Sequence, residues 1–304
     1  MPTKPPDWIL DRDIARVLAK DYAPRWVPLL DELVNFGAAL YARSKGNRSD
    51  MLTPEGAPLL IFLHILEMTD GVSELVKQGC TAAAAPDVRA IFESALGLEY
   101  MLAKDTEARA RAWLVGYASD ELEMFDQIEG VGKAGQDFQN ALKDDTLAGL
   151  LDVKPLGRYA KAQRPAIEAL LAQPEHLPIV AARSALKKRK PNWYSVFGGP
   201  SDLRQLSKQL KREAQYLVLY AYLSSIQHGQ NTRRFLSSAA AAEKTPLAKL
   251  LRDPSALPTV AGLAATHSLR AIFLILNYYR RGEVYERWYK EEIRPLLVPA
   301  ETGA

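Results

Sequence analysis

A histidine stands at the end of an apolar helix, where its imidazole could act as an acid or a base. The segment YAYLSSIQHGQN covers residues 220 to 231, and His228 is followed directly by a glycine. Glycine often takes the left-handed conformation that ends a helix, which places His228 in the last turn. The helix C-terminus favours a protonated imidazole there, by about 0.3–1 kcal/mol. The neighbours that could bind a ligand are Tyr222, Ser224, Ser225 and Asn231.

A second candidate pair lies upstream in the segment DVRAIFESALGLEYML. Arg89 and Glu93 are four residues apart, so a helix places both on one stripe, among apolar residues such as Ile91 and Phe92. Burying a single charge costs several kcal/mol, so we expect Glu93 to be paired. Arg89 is its local partner, and His228 is a plausible distant one.

Two interpretations of these three residues remain open. In the first, His228 is the general acid or base of RNA cleavage, Arg89 stabilises charge on the phosphate, and Glu93 holds one of them in place. In the second, the same residues form a structural clamp between helices and catalyse nothing. The pattern alone favours the clamp.

A basic segment with interleaved aromatic residues is the candidate nucleic-acid surface. From Arg183 to Arg212 the sequence holds nine lysines and arginines against one acidic residue, Asp202. Basic side chains neutralise phosphates, and aromatic rings stack on unpaired bases. The residues predicted to bind are Lys187, Lys188, Arg189, Lys190, Trp193 and Tyr194. The alternative is an ordinary solvated basic face.

Two further histidines, His64 and His267, lie in apolar helical segments. Glu67 and Arg270 are close enough in sequence to join them in a polar cluster, although hydrogen-bonded core histidines are the commoner case. The glycines of GVGKAG follow a helical segment and no strand, so they predict a loop between helices and no nucleotide site. We therefore predict neither a metal nor a cofactor.

Composition narrows the class of protein. Hydrophobic residues make up 48% and charged residues 25%, as in ordinary globular proteins, and the formal charge is +3. The single cysteine, Cys80, excludes an internal disulfide, and no apolar run follows the first methionine. The apolar segment from Leu257 carries Arg270 in its middle, which predicts a buried core helix and no membrane span. We expect a cytoplasmic protein.

Two longer segments resemble a known family. NWYSVFGGPSDLRQLSKQL, followed by YLVLYAYLSSIQHG, resembles a bacterial helical family of unknown function, in which a helix like RAIFESALGLEYML recurs. That family is distantly similar to the HEPN proteins, many of which are ribonucleases or toxins of defence systems. The resemblance implies an RNA substrate and a catalytic His228. HEPN proteins carry an arginine shortly before this histidine, whereas this sequence has Tyr222, Leu223 and Ser224, so Arg89 would have to replace it.

Apolar residues recur at intervals of three and four residues along nearly the whole chain. This spacing predicts an all-α, multi-helix bundle. Through the resemblance, we expect a HEPN-like core with additional helices. One long helix is expected over 201–229, apolar nearly all round and therefore central. The predicted domains are an N-terminal helical extension at 1–54, a helical core at 55–282, and a C-terminal helix and tail at 283–304.

The predicted function is a binding module for RNA or a partner protein, with a homodimer as a candidate assembly and a defence or stress system as the setting. A metal-independent ribonuclease is the alternative.

Overall fold

The structure, a computed structural model, describes residues 10–150, 152–186, 190–227, 251–280 and 285–297. Every regular element in these ranges is helical, and no strand occurs among them. The prediction of an all-α protein is therefore confirmed. Its basis was the helical spacing of apolar residues, which lets each helix bury one face.

The helices are named in chain order. The first six are α1 (Arg12–Tyr22), α2 (Trp26–Lys45), α3 (Ala57–Lys77), α4 (Ala85–Ala103), α5 (Thr106–Glu129) and α6 (Gly132–Asp144). The next five are α7 (Lys154–Leu171), α8 (Leu177–Ser184), α9 (Leu203–Gln209), α10 (Glu213–Gln215) and α11 (Ala221–Gln227). The last three are α12 (Leu257–Tyr279), α13 (Glu286–Trp288) and α14 (Arg294–Leu297).

The segment from α9 to α11 is interrupted, which corrects the prediction of one long helix over 201–229. The chain breaks at Lys211, whose φ is 60°, a left-handed value that ends the helical path. Between α10 and α11 a π-helical turn covers Tyr216–Tyr220. Such turns are rare and are frequently found at functional sites.

The same segment is less buried than its composition predicts. Leu217 and Val218 are 51% and 67% exposed, and Tyr222 is 36% exposed. The expectation of a central helix is therefore wrong for the outer side of the π turn and of α11. Leu223 and Ile226 do belong to the core, so this segment buries one face and leaves large apolar side chains on the other.

By its internal contacts, the chain divides into two compact units. Unit 1 comprises Met1–Ser49, Pro58–Lys104 and Leu203–Ala304, and unit 2 comprises Asp50–Ala57 and Asp105–Asp202. This division differs from the expected extension, core and tail, because both ends of the chain belong to unit 1 together with α3 and α4. The bounds of the expected domains stay a prediction.

In unit 1, α12 packs against α4 on one side and against α2 on another. Ile91 and Leu98 of α4 and Ile272 and Ile275 of α12 are fully buried. One polar contact is buried with them: the hydroxyl groups of Thr69 and Ser268 are 2.6 Å apart, and Thr69 also donates to a backbone carbonyl of its own helix. Buried hydroxyls are tolerated there because they are paired.

In unit 2, α5 packs against α6 and α7. Phe125 of α5 and Ala160, Ile167 and Leu170 of α7 form one buried cluster. The chain breaks between two helices at the start of GVGKAG, as predicted: Gly130 takes a left-handed φ of 75° and ends α5, and its backbone N–H bonds to a carbonyl of the last turn. The loop is shorter than the motif, because Gly132 and Gly135 already belong to α6.

α12 is long and apolar enough to cross a membrane, and no other helix in the described ranges passes that test. About half of its most apolar window, 56%, is buried within the protein itself. A buried core helix of a soluble protein has the same composition, so this finding is weak evidence for a span.

Candidate functional site

A cluster of one arginine, one glutamate and one tyrosine joins α4 to the π turn. Arg89 Nε donates to Glu93 Oε1 at 2.7 Å, the pair that the four-residue spacing predicts. The same guanidinium donates to the Tyr220 hydroxyl, and its carbon lies 4.3 Å from the centre of the Tyr220 ring. Arg89 therefore bridges two elements of unit 1.

This cluster is neither sealed nor fully open. The side chain of Arg89 is 19% exposed and that of Glu93 is 39% exposed. Burial raises the pKa of the Tyr220 hydroxyl, and the positive charge of Arg89 offsets this only in part. Tyr220 thus remains a neutral phenol at pH 7 that can accept the hydrogen bond from Arg89. Its ring also stacks on Tyr216, with centroids 4.7 Å apart.

Several predicted site residues lie outside the described part of the chain. They are His228, Asn231, Lys187, Lys188 and Arg189. Of their predicted neighbours on α11, Ser224 is half-buried, and Ser225 donates its hydroxyl to the carbonyl of Tyr222 at 2.7 Å. The proposed roles of His228 and of the helix end therefore stay predictions.

The described part of the basic segment separates into two environments. In unit 2, Arg183 is 8% exposed, bonds to Asp120 at 2.6 Å and donates to the carbonyl of Pro191. Lys190 lies 3.8 Å from Glu123. Because Arg183 and Lys190 each face a carboxylate, these two residues present less free positive charge than the sequence predicts.

The two aromatic residues of the basic segment, Trp193 and Tyr194, pack within unit 2. Trp193 and Tyr194 meet edge to face, with ring centroids 5.5 Å apart, and both are half-buried. The Cβ of Trp193 lies so close to Gly116 of α5 that a side chain on the glycine would stand 3.0 Å from it. Only part of each ring is open to a base.

In unit 1, the basic residues before α10 are freer. The ammonium groups of Lys208 and Lys211 are exposed and make no ion pair within the described residues. Arg204 pairs with Glu213 at 3.2 Å. The lysines therefore carry positive charge that remains available to a ligand.

Sequence reasoning missed a second polar cluster, centred on Glu99 of α4. Glu99 Oε1 accepts from Arg212 at 3.2 Å and from Arg270 at 2.8 Å, and the Glu99 side chain is only 13% exposed. The sequence does indicate that Glu99 needs a partner, because Glu99, like Glu93, is a charged residue in the apolar helix α4. Its partners, however, stand more than a hundred residues away, beyond the reach of spacing arguments.

The two remaining histidines behave differently from each other. His64 is half-exposed and lies 3.9 Å from Glu67, three residues along its own helix. His267 of α12 is 7% exposed and meets Phe92 edge to face, with ring centroids 5.1 Å apart. Burial, with the charge of Arg212, lowers the pKa of His267 to about 4, so its imidazole is neutral at pH 7. Among the described residues, no group of three histidines, cysteines or carboxylates could hold a metal ion.

Comparison with known proteins assigns the chain to a family. Residues 55–240 match a family of unknown function, DUF5677. The chain belongs to this family. The matched range includes Arg89, Glu93, Glu99 and Arg212 but ends before α12, which carries His267 and Arg270. No curated protein and no solved structure matches the chain.

Proposed function

We propose that this protein is a binding module for single-stranded nucleic acid and that it contacts the strand along α9 to α11. The observation that carries the proposal is that Lys208 and Lys211 are exposed, make no ion pair with any residue that the structure describes, and precede the tyrosines of the π turn and α11. Lysines bind the phosphates of a strand, and aromatic rings stack on its bases, whatever the sequence of the strand.

Charge supports this assignment. From Leu203 to Gln227 the chain carries four basic residues and one acidic residue, a net charge of 4 − 1 = +3, which equals the formal charge of the whole protein. A clustered excess of this kind is the electrostatic footprint of nucleic-acid binding, whereas the same charge spread over 304 residues would not be.

The tyrosines supply planar surface beside this charge. Tyr222 is exposed on α11. Tyr216 and Tyr220 form a stacked pair of rings, and the guanidinium of Arg89 lies over the ring of Tyr220. Arg89 acts here as a clamp: held by Glu93 and Tyr220, it fixes the π turn against α4. The exposed Leu217 and Val218 offer apolar contact to bases, and a protein partner would use the same two residues.

The sequence resemblance to HEPN proteins supports RNA as the strand, a defence or stress setting and the cytoplasm as the compartment. A metal-independent ribonuclease that uses His228 with Arg89 is the alternative. It requires Arg89 to contact phosphate, whereas this guanidinium already serves Glu93 and Tyr220. Binding without cleavage is therefore the function that the geometry supports best.

The test is affinity for fluorescent single-stranded RNA as a function of salt. The double variant Lys208→Ala/Lys211→Ala should bind more weakly, and the slope of log K against log salt should fall by about 1 per lysine removed. Tyr222→Ala should weaken binding by about 1–3 kcal/mol if a base stacks there. The matched control is Lys20→Ala/Lys161→Ala, which removes the same charge from exposed positions on α1 and α7.

Equal losses for the two double variants would show that binding is unspecific attraction and would refute the proposed surface. A parent protein that does not bind RNA even at low salt would refute the proposal altogether and direct attention to a protein partner. Cleavage of the RNA by the parent would establish the ribonuclease alternative.

A further inference from the structure

A cavity in unit 1, between α4, α10 and α12, has the composition of a small-molecule site. Its volume is about 320 Å³. A liquid water molecule occupies about 30 Å³, so this space corresponds to about ten waters or a ligand of about ten non-hydrogen atoms. Ligand pockets begin at about this size. The cavity is lined by neither Lys208 nor Lys211, the lysines of the proposed nucleic-acid surface.

One wall of the cavity is cationic. Arg212 and Arg270 both line it, and both donate to a single carboxylate, Glu99. Two positive charges against one negative charge leave a surplus of +1. Each guanidinium has five N–H donors in a rigid fork and uses only some of them on Glu99, so donors remain for an incoming anion.

The floor of the cavity includes a buried histidine. His267 lines the cavity and is 7% exposed, and its Nε2 is buried and has no hydrogen-bond partner among the described residues. Because burial lowers the pKa of this imidazole to about 4, the ring is neutral at pH 7, and the positive charge of the cavity comes from the two arginines.

The remaining wall is apolar. Leu96 of α4 and Leu269 and Phe273 of α12 line it. These side chains suit a hydrocarbon body, and the Phe273 ring offers a face or an edge to an aromatic one. The cavity therefore combines an anion-binding end with an apolar side, which is the usual layout of a small-ligand site.

We propose that this cavity binds a small aromatic carboxylate, with its carboxylate on Arg212 and Arg270 and its ring against Leu96 and Phe273. A carboxylate is favoured over a phosphate because its single negative charge matches the surplus of +1. Its planar pair of oxygens also suits the guanidinium fork. A body of about ten non-hydrogen atoms fits the volume.

The test uses phenylacetate and 4-hydroxyphenylacetate as carboxylate probes, phenylacetamide as the neutral isostere, and phenyl phosphate as the phosphate probe. Isothermal titration with the full-length protein should show saturable binding of the two carboxylates in the millimolar range or tighter. Phenylacetamide should bind at least tenfold more weakly, since it cannot form the ion pair.

Two variants locate the site. Arg270→Gln removes one cation but keeps hydrogen bonding, and it should weaken carboxylate binding about tenfold or more. Phe273→Ala removes part of the apolar wall and should weaken the binding of both carboxylates. The control Lys208→Ala/Lys211→Ala should leave phenylacetate binding unchanged, which separates this site from the proposed nucleic-acid surface.

Three results would overturn the assignment. They are no saturable carboxylate binding by a parent protein that is folded by circular dichroism, unchanged affinity in Arg270→Gln, and binding of phenyl phosphate in preference to both carboxylates. Loss of RNA binding in Lys208→Ala/Lys211→Ala with carboxylate binding intact supports both proposals independently. If Phe273→Ala fails to fold, Phe273→Leu replaces it.

Discussion

The buried imidazole of His267 should make the stability of unit 1 depend on pH in a calculable way. Its pKa is about 4 in the folded protein, against 6.5 for an ordinary histidine, because burial disfavours the charged ring and Arg212 repels it, while Glu99 offsets this only in part. The unfolded chain therefore takes up the proton first as pH falls. Stability is full above pH 6.5 and is lost between pH 6.5 and 4.

The size of this loss follows from the two pKa values. Their difference of about 2.5 corresponds to about 3 kcal/mol when the pH is below both, at about 1.4 kcal/mol for each pKa unit. At pH 5 the same relation gives about 2 kcal/mol. Other groups, carboxylates above all, also change protonation in this range, so the effect must be read as a difference between parent and variant.

Urea unfolding of the parent and of His267→Phe, measured at several pH values from 7.5 to 4, isolates the histidine. The parent should lose about 2 kcal/mol more than the variant between pH 7.5 and 5. The control is His64→Gln, which removes a half-exposed histidine from the same unit and should follow the parent. Parallel curves for the parent and His267→Phe would show that the imidazole is not buried in its neutral form.

Three further outcomes are expected. Glu93→Ala should cost about 1 kcal/mol in chemical denaturation, and less at high salt, because its pair with Arg89 is partly solvated; a loss of about 3–5 kcal/mol would mean a buried pair. Arg183→Ala should destabilise by about 1–3 kcal/mol, because it leaves the backbone carbonyl of Pro191 without its buried donor, whereas Asp120 is 52% exposed and regains water; an unchanged melting temperature would contradict this. His228→Ala should leave RNA affinity unchanged, and loss of an RNA cleavage present in the parent would show that this histidine is catalytic.

Local features of the fold were predictable because a helix places residues three or four positions apart on the same face. The three-and-four recurrence of apolar residues predicts the helical class, and the four-residue step from Arg89 to Glu93 predicts their ion pair. The loop at GVGKAG was predictable too, because glycine tolerates the left-handed φ that ends α5. Each of these depends on neighbours within about one helical turn.

Long-range features were not predictable from spacing. Glu99 meets Arg212 and Arg270, which are 113 and 171 residues away. Any of several arginines could have satisfied this carboxylate, so only packing selects its partners. The exposure of Leu217 and Val218 is a similar case: an apolar run predicts burial on average, but it does not say which side of the helix the rest of the chain covers.

The π turn gives a geometric reason why two separate clusters form on α4. Arg212 reaches Glu99 and Tyr220 reaches Arg89, so both must face α4, although they are eight residues apart. At 3.6 residues per turn, eight residues exceed two turns by about 80°, which would turn one of the two side chains away. A π turn accommodates about one extra residue. The eight-residue step from Arg212 to Tyr220 therefore corresponds to about seven residues of α-helix, which is close to two full turns. The turn at Tyr216–Tyr220 thus aligns the clamp and the cavity on one side of this segment and leaves Leu217 and Val218 on the other.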